Sequence, residues 1–175
     1  MKNLKRLLTL FTAMFVYITS AVAEVKPVNI TLYQPDEVVT ALEVDASELS
    51  EYIKKLTKSI EQEFSEATIP ESLDLVIIVK PGKLSKAWLV SSLKDSPKRQ
   101  KFLTKLSTIP SIKTINGPFA FAVTYSIAGG KTPSLETKKY KLPMPKEWQD
   151  AIDKSEAEYT RIPEGIVDAV WKTPK

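Results

Sequence analysis

The sequence predicts an α+β fold: a small antiparallel or mixed sheet with a crossover helix, an N-terminal amphipathic helix and C-terminal helices. Apolar residues recur at helical spacing over residues 47–65, which predicts the amphipathic helix. Two apolar runs separated by a Pro-Gly turn, between residues 71 and 93, predict a hairpin. A further helix and a strongly alternating segment at 118–128 predict a crossover and a last strand.

The beginning of the chain has the three parts of a secretory signal peptide. Basic residues lie before position 7, the run from Leu7 to Ile18 is mostly apolar, and small residues occupy positions 21–23. We expect cleavage between Ala23 and Glu24, export to the bacterial periplasm or the extracellular space, and no stable membrane anchor afterwards. The alternative is an uncleaved anchor helix, whose apolar stretch would be at the short limit for crossing a bilayer.

Two extended segments and a helix are predicted next. Val28 to Tyr33 alternates and Val38 to Val44 is β-branched, so the two would form a hairpin, or the second would be a lone edge strand. Asp45-Ala46-Ser47-Glu48 resembles a capping box and would start the helix at about residue 47. The stripe that this helix is predicted to turn toward the core consists of Leu49, Tyr52, Ile53, Leu56, Ile60 and Phe64.

The central block of the chain is predicted to build the sheet. Leu73 to Val79 is apolar on both faces, which predicts an interior strand. Lys80-Pro81-Gly82-Lys83 predicts a turn into a second strand, Leu84 to Leu93, whose polar residues are typical of an edge. Pro97 would begin the crossover helix. The 118–128 strand would then lie beside the interior strand, near an edge of the sheet.

The C-terminal region is predicted to add an extended piece at 138–144 and two helices, which begin at about Pro145 and Pro163. Each helix carries a tryptophan, which we interpret as a docking contact. The chain has no internal repeat and no low-complexity linker. The predicted boundaries are therefore 1–23 for the signal peptide, 24–175 for a single α+β domain, 47–130 for its core and 143–173 for a helical appendage.

The chain contains neither cysteine nor histidine. Disulfides, thiolate or imidazole catalysis and zinc sites built on these side chains are therefore excluded. An enzyme would have to use carboxylates, and two acidic pairs lie beside apolar structure: Glu71 with Asp74, and Glu147 with Asp150. Their spacing is better explained by capping or solvent exposure, so we predict no catalytic residue, no cofactor and no metal site.

The charge of the chain bears on the class of partner. The leader carries three basic residues and no acidic one, so it accounts for three of the four net positive charges. The chain that follows is close to neutral, whereas a nucleic-acid-binding domain usually carries a concentrated basic surface. We therefore expect an envelope protein or a secreted protein as the partner, and no nucleic acid.

The order of elements from Leu49 to Ile127 resembles the C-terminal domains of TonB and TolA, periplasmic proteins that reach the outer membrane. The matching pieces are the stripe of the 47–65 helix, Leu75-Val76-Ile77-Ile78-Val79 with its Pro-Gly turn, Trp88-Leu89-Val90, Leu103 to Pro110, and Phe119-Ala120-Phe121-Ala122-Val123. We expect no counterpart here to the secure membrane anchor and the periplasmic spacer of that family. The resemblance implies that an extended partner peptide adds to the edge of the last strand.

The function expected from these observations is that of a secreted periplasmic, non-enzymatic protein-binding module. Its partner-binding residues would lie on one face of the last strand: Phe119, Phe121, Val123, Tyr125 and Ile127. Two alternatives stay open. An exported inhibitor or immunity protein against a secreted enzyme fits the small size and the export. A carboxylate-dependent cell-wall hydrolase would use one of the two acidic pairs.

Overall fold

The computed structural model describes residues 23–91, 97–132, 142–146, 148–149, 167 and 170–171. The predicted signal peptide except Ala23, most of the predicted extended piece at 138–144 and most of the C-terminal helices lie outside these residues. Within the described residues, no helix is long and apolar enough to cross a membrane.

In the part of the chain that the structure describes, four antiparallel strands form one sheet in the order β1-β4-β2-β3. The strands are β1 (Val25–Leu32), β2 (Glu71–Lys80), β3 (Leu84–Val90) and β4 (Phe119–Ile127). Gly82 makes the turn between β2 and β3 with a φ of +87°, a backbone conformation that glycine adopts without strain. The predicted hairpin, the interior position of β2 and the edge position of β3 are confirmed, and the fold is α+β.

The helices whose bounds fall within the described residues are α1 (Asp36–Ala41), α2 (Ala46–Glu63) and α3 (Pro97–Ser107). The helix predicted at 47–65 corresponds to α2. At its start, Asp45 Oδ1 accepts the N–H of Glu48 at 2.8 Å, which satisfies one of the unpaired donors of the first turn. The Glu48 carboxylate accepts the N–H of Lys113 at 3.2 Å. It thereby ties the loop after α3 to the start of α2.

The prediction of a strand at 38–44 is wrong, because α1 occupies most of this segment. The helix begins directly after Pro35, whose carbonyl accepts the N–H of Val39 at 3.0 Å. Val38 and Val39 pack against the core, and the following Leu42 is buried in it. Tertiary packing therefore outweighs the preference of β-branched residues for strands.

The face of the sheet toward α2 and α3 carries the larger of two buried clusters. The helices contribute the buried residues Tyr52, Ile53, Leu56, Ile60, Phe102, Leu103 and Leu106. Alternate residues of β2 and β4 meet them, which confirms the apolar stripe predicted for the 47–65 helix. Burial of each large side chain stabilises the fold by about 1.5–3 kcal/mol.

The opposite face carries a smaller cluster around Trp148. This tryptophan is fully buried, and its ring meets the rings of Trp88 and Tyr33 edge-on at centroid distances of 5.1 and 5.7 Å. The Tyr33 hydroxyl donates a hydrogen bond to the carbonyl of Pro143. The segment that begins the predicted C-terminal region therefore packs on the sheet, and Trp148 is a docking contact within the fold.

Candidate functional site

The five residues predicted to bind a partner lie in the core. Their side chains are at most 1% exposed: Phe119, Phe121, Val123, Tyr125 and Ile127. Because β4 is hydrogen-bonded to β1 on one side and to β2 on the other, neither side of its backbone is open to another strand. The predicted position of this strand near an edge of the sheet is therefore wrong.

The strand that displaces β4 from the edge is β1. Its register along β4 runs from the pair Val25 and Ile127 to the pair Leu32 and Phe121. These partners are far apart in the sequence. The local periodicity of a segment does not indicate which distant strand it will pair with. Alternation was therefore enough to predict that β4 is a strand, but not which strands are its neighbours.

The predicted cleavage position lies at the described start of the chain. Ala23 is buried, and its N–H donates to the carbonyl of Ser65 at 3.0 Å. The carbonyl of Glu24 accepts the N–H of Ala128 at 2.9 Å. Folding thus holds the backbone on both sides of the Ala23–Glu24 bond. Cleavage at this bond would have to precede the folding of this end of the sheet.

The acidic residues Glu71 and Asp74 do not form a pair. Glu71 lies opposite Ile127 and Asp74 opposite Thr124, so the two carboxylates project from opposite faces of β2. Asp74 accepts a hydrogen bond from the Thr124 hydroxyl at 2.5 Å. Burial raises the pKa of Asp74, and this hydrogen bond opposes the rise. The other predicted pair, Glu147 and Asp150, lies outside the described residues.

The outer side of β1 is an open sheet edge, since no described strand pairs with it. The N–H of Tyr33 donates to the carbonyl of Ala120 in β4. Because backbone groups alternate in direction along a strand, the N–H and C=O groups of Ile30 and Leu32 point away from β4. Val28, Ile30 and Leu32 are also 52%, 47% and 37% exposed. This edge therefore combines backbone hydrogen-bonding groups with apolar side chains.

Only the first half of β1 is protected against pairing. Pro27 has no N–H to donate, and the register shifts at Val28, which forms a bulge. Proteins use both features to protect sheet edges. At the other edge of the sheet, the Arg99 guanidinium in α3 donates to the carbonyl of Leu89 in β3. The second half of β1 has neither kind of protection among the described residues.

A groove of about 590 Å³ runs beside this edge, between β1 and α2. The residues of β1 that line it are Pro27 and Ile30. The residues of α2 that line it form one helical face: Ala46, Leu49, Ser50, Ile53, Lys54, Thr57, Lys58 and Glu61. At about 1.5 Å of rise per residue, this face extends about 22 Å along the helix.

The two ends of the groove differ in polarity. The hydrogen bond from Ala23 to Ser65 holds the start of β1 beside the end of α2, so the two elements run in opposite directions. The apolar end is lined by Ile30, Ala46, Leu49, Ser50 and Ile53, all of them apolar except Ser50. The polar end is lined by Thr57, Lys58 and Glu61, beside Pro27.

Within the part of the chain that the structure describes, no three acidic side chains lie close enough together to hold a metal ion. Comparisons of the chain with models of protein families, with curated proteins and with solved structures found no significant match. The candidate site therefore rests on the geometry of β1 and α2.

One sequence signal could have drawn attention to this site. The alternation of Val28, Ile30 and Leu32 predicts a strand, but it does not say whether the apolar side is covered. The bulge at Val28 further changes the alternation: Pro27 and Ile30 lie opposite Tyr125 and Val123, which both belong to the core beneath α2. Exposure of this apolar side becomes visible only in the folded chain.

Proposed function

We propose that this protein is an exported, non-enzymatic protein-binding module of the bacterial envelope, which captures an extended segment of a partner protein by strand addition at β1. The observation that carries the proposal is the combination, at Ile30 and Leu32, of outward-pointing backbone groups with exposed apolar side chains. In strand addition, backbone hydrogen bonds supply affinity and alternate side chains supply selectivity.

Two further observations support this proposal. The leader-like sequence of residues 1–23 supports export. The resemblance to the C-terminal domains of TonB and TolA supports binding of an extended peptide, with the site moved from β4 to β1. An open edge strand is also a liability for aggregation, and natural proteins normally protect such edges. The unprotected second half of β1 beside the groove therefore supports binding of a partner at this edge.

Two substitutions of one residue test the proposal. Leu32→Pro removes an N–H that points away from β4, so the ladder between β1 and β4 keeps its hydrogen bonds. Leu32→Ala removes the side chain and keeps the N–H. In capture experiments from periplasmic extract, we expect the alanine variant to retain most of the partner and the proline variant to lose it.

A second measurement reads the backbone directly. On addition of the captured partner, amide hydrogen exchange should slow at Ile30 and Leu32 more than elsewhere on the surface. Circular dichroism in the near ultraviolet should show that Leu32→Pro is folded. Full recovery of the partner by a folded Leu32→Pro variant would reject strand addition at β1.

A further inference from the structure

The groove beside β1 also defines what its occupant should look like. On the basis of the proposed strand addition, we propose that the captured segment is an extended stretch of about seven residues, with apolar side chains toward its N-terminal end and a carboxylate side chain at its C-terminal end. Four properties of this segment each follow from a separate feature of β1 and α2: its length, its apolar end, its charge and its direction.

The length of the occupant follows from α2. The helical face that lines the groove runs from Ala46 to Glu61, about 22 Å. An extended chain advances about 3.3 Å per residue, so about seven residues fill this length, and those beside the unprotected second half of β1 would pair with its backbone. Because side chains alternate along a strand, four of the seven would point toward α2 if the first one does.

The apolar side chains of the occupant follow from the end of the groove near the start of α2. Ile30 is nearly half exposed there, beside the partly buried Leu49 and the buried Ile53. Valine or leucine side chains of an added strand would remove this apolar surface from water, which is favourable. A polar segment would leave this apolar surface without apolar side chains to pack against.

The carboxylate follows from the charges on the wall of α2. Lys54 and Lys58 lie one helical turn apart in the groove, against the single carboxylate of Glu61. Lys54 pairs with Glu51 at 2.7 Å, but both side chains are at least 60% exposed. Such a surface pair contributes at most about 1 kcal/mol and exchanges partners readily. Lys58 has no salt bridge with any described residue. The wall is therefore complementary to an acidic side chain.

The direction of the occupant follows from the sheet. All described strand pairs are antiparallel, and antiparallel pairing is slightly more stable per residue than parallel pairing. Because β1 runs from the polar end of the groove to the apolar end, an antiparallel occupant begins at the apolar end. Its carboxylate therefore follows its apolar residues and arrives beside Lys58.

Synthetic peptides test these properties with the purified protein. Three blocked heptapeptides would carry valine at positions 1, 3 and 5, threonine at positions 2, 4 and 6, and glutamate, glutamine or lysine at position 7. Isothermal titration calorimetry should show that the glutamate peptide binds at least about fivefold more tightly than the glutamine peptide, and that the lysine peptide binds most weakly. A heptapeptide with the reversed sequence should bind more weakly than the glutamate peptide.

Charge reversal on α2 supplies the matched pair of variants. Lys58→Glu should invert the order, so that the lysine peptide binds more tightly than the glutamate peptide. Lys55→Glu is the control, because Lys55 is an exposed neighbour on the same helix that does not line the groove. It makes the same change in net charge and should leave the order of the peptides unchanged.

The outcomes separate this inference from the proposed function. In one outcome, the wild type binds all three peptides with equal affinity while Leu32→Pro binds none of them. This result would overturn the inference and leave strand addition in place. Equal binding of the reversed peptide would overturn the direction. The inference is also overturned if the wild-type protein binds none of the peptides at millimolar concentration. A wild-type dimer that Leu32→Pro dissociates would overturn it as well, because a second copy of the chain would then occupy the edge.

Discussion

Two neighbouring glycines after β4 show how strongly single residues are constrained. Gly129 has a φ of +76° and no atom within 4 Å of the position where a Cβ would lie, whereas a Cβ on Gly130 would overlap the backbone of Glu71. We expect Gly130→Ala to lower the free energy of unfolding by about 2–3 kcal/mol. Gly129→Ala should cost about 1 kcal/mol, through its backbone conformation alone. Urea unfolding would compare the two, and equal costs would contradict the close approach of Gly130 to β2.

A buried tyrosine makes stability depend on alkaline pH. Burial raises the pKa of Tyr125 to about 12, opposed by a hydrogen bond with Thr57. In the unfolded chain this tyrosine ionises near pH 10. Between about pH 10 and pH 12, the unfolded chain therefore binds fewer protons than the folded chain. The contribution of Tyr125 to the free energy of unfolding is complete below pH 10. It falls as the pH rises toward 12, by up to about 1.4 kcal/mol per pH unit.

Tyr125→Phe tests this pH dependence. The variant should show a shallower fall of the free energy of unfolding between about pH 10 and pH 12 than the wild type, measured by urea unfolding at each pH. Part of the slope should persist, because burial also raises the pKa of Tyr52. Identical slopes for the two proteins would show that Tyr125 ionises in the folded chain as it does in the unfolded chain.

A partly buried carboxylate is expected to work against stability at neutral pH. Burial raises the pKa of Asp74 in the folded chain, so the folded state favours the protonated form. Its contribution to stability is complete below the unfolded pKa of about 3.9 and is lost as the pH rises through the folded pKa. Asp74→Asn keeps an acceptor for the Thr124 hydroxyl and should stabilise the protein at pH 7. The gain should shrink toward pH 3 in urea unfolding, and a gain that is larger at pH 3 would contradict it.

At the scale of single elements, the start of α2 depends on one side chain. Asp45 accepts the N–H of Glu48, and Asp45→Ala removes this cap. We expect a loss of about 1 kcal/mol in the free energy of unfolding, measured by urea unfolding. Asp45→Asn retains an oxygen acceptor and should lose much less. Equal losses for the two variants would mean that the negative charge, and not the hydrogen bond, stabilises this helix.

The elements differ in how far their residues predicted them. The stripe of α2, the Pro-Gly turn between β2 and β3, and the alternation of β4 are local patterns, and each predicted element is present. The segment of α1 has β-branched residues that favour a strand, and its helical form depends on contacts with the core. Local patterns therefore predicted an element wherever tertiary contacts agreed with intrinsic preference.

At the scale of the whole molecule, the sheet is buried on two faces by different means. The helices α2 and α3 cover one face, and the region around Trp148 covers the other. Without the region around Trp148, the rings of Tyr33 and Trp88 would lose the Trp148 ring, which both of them contact. The described residues Trp148, Val167 and Val170 of the C-terminal region are thus part of the core.

The substitution Trp148→Ala tests this role. We expect it to lower the free energy of unfolding by about 3–5 kcal/mol, measured by urea unfolding. Trp148→Phe should cost clearly less, because phenylalanine keeps an aromatic ring and lacks the indole N–H, which has no hydrogen-bond partner among the described residues. Lys146→Ala, at an exposed position two residues away, is the control for unspecific effects. A cost below about 1 kcal/mol for Trp148→Ala would contradict the packing of this region on the sheet.

The amino-acid sequence by itself determined the α+β class, most strands and helices, and the absence of histidine and cysteine chemistry. These properties depend on composition and on the spacing of near neighbours along the chain. The tertiary structure alone decided the order of the strands. It paired β1 with β4, buried Phe121 and Val123, and left Ile30 and Leu32 at the open edge beside α2. The physical reason is that strand pairing joins residues distant in sequence, and the backbone hydrogen bonds that hold them together are the same for every side chain.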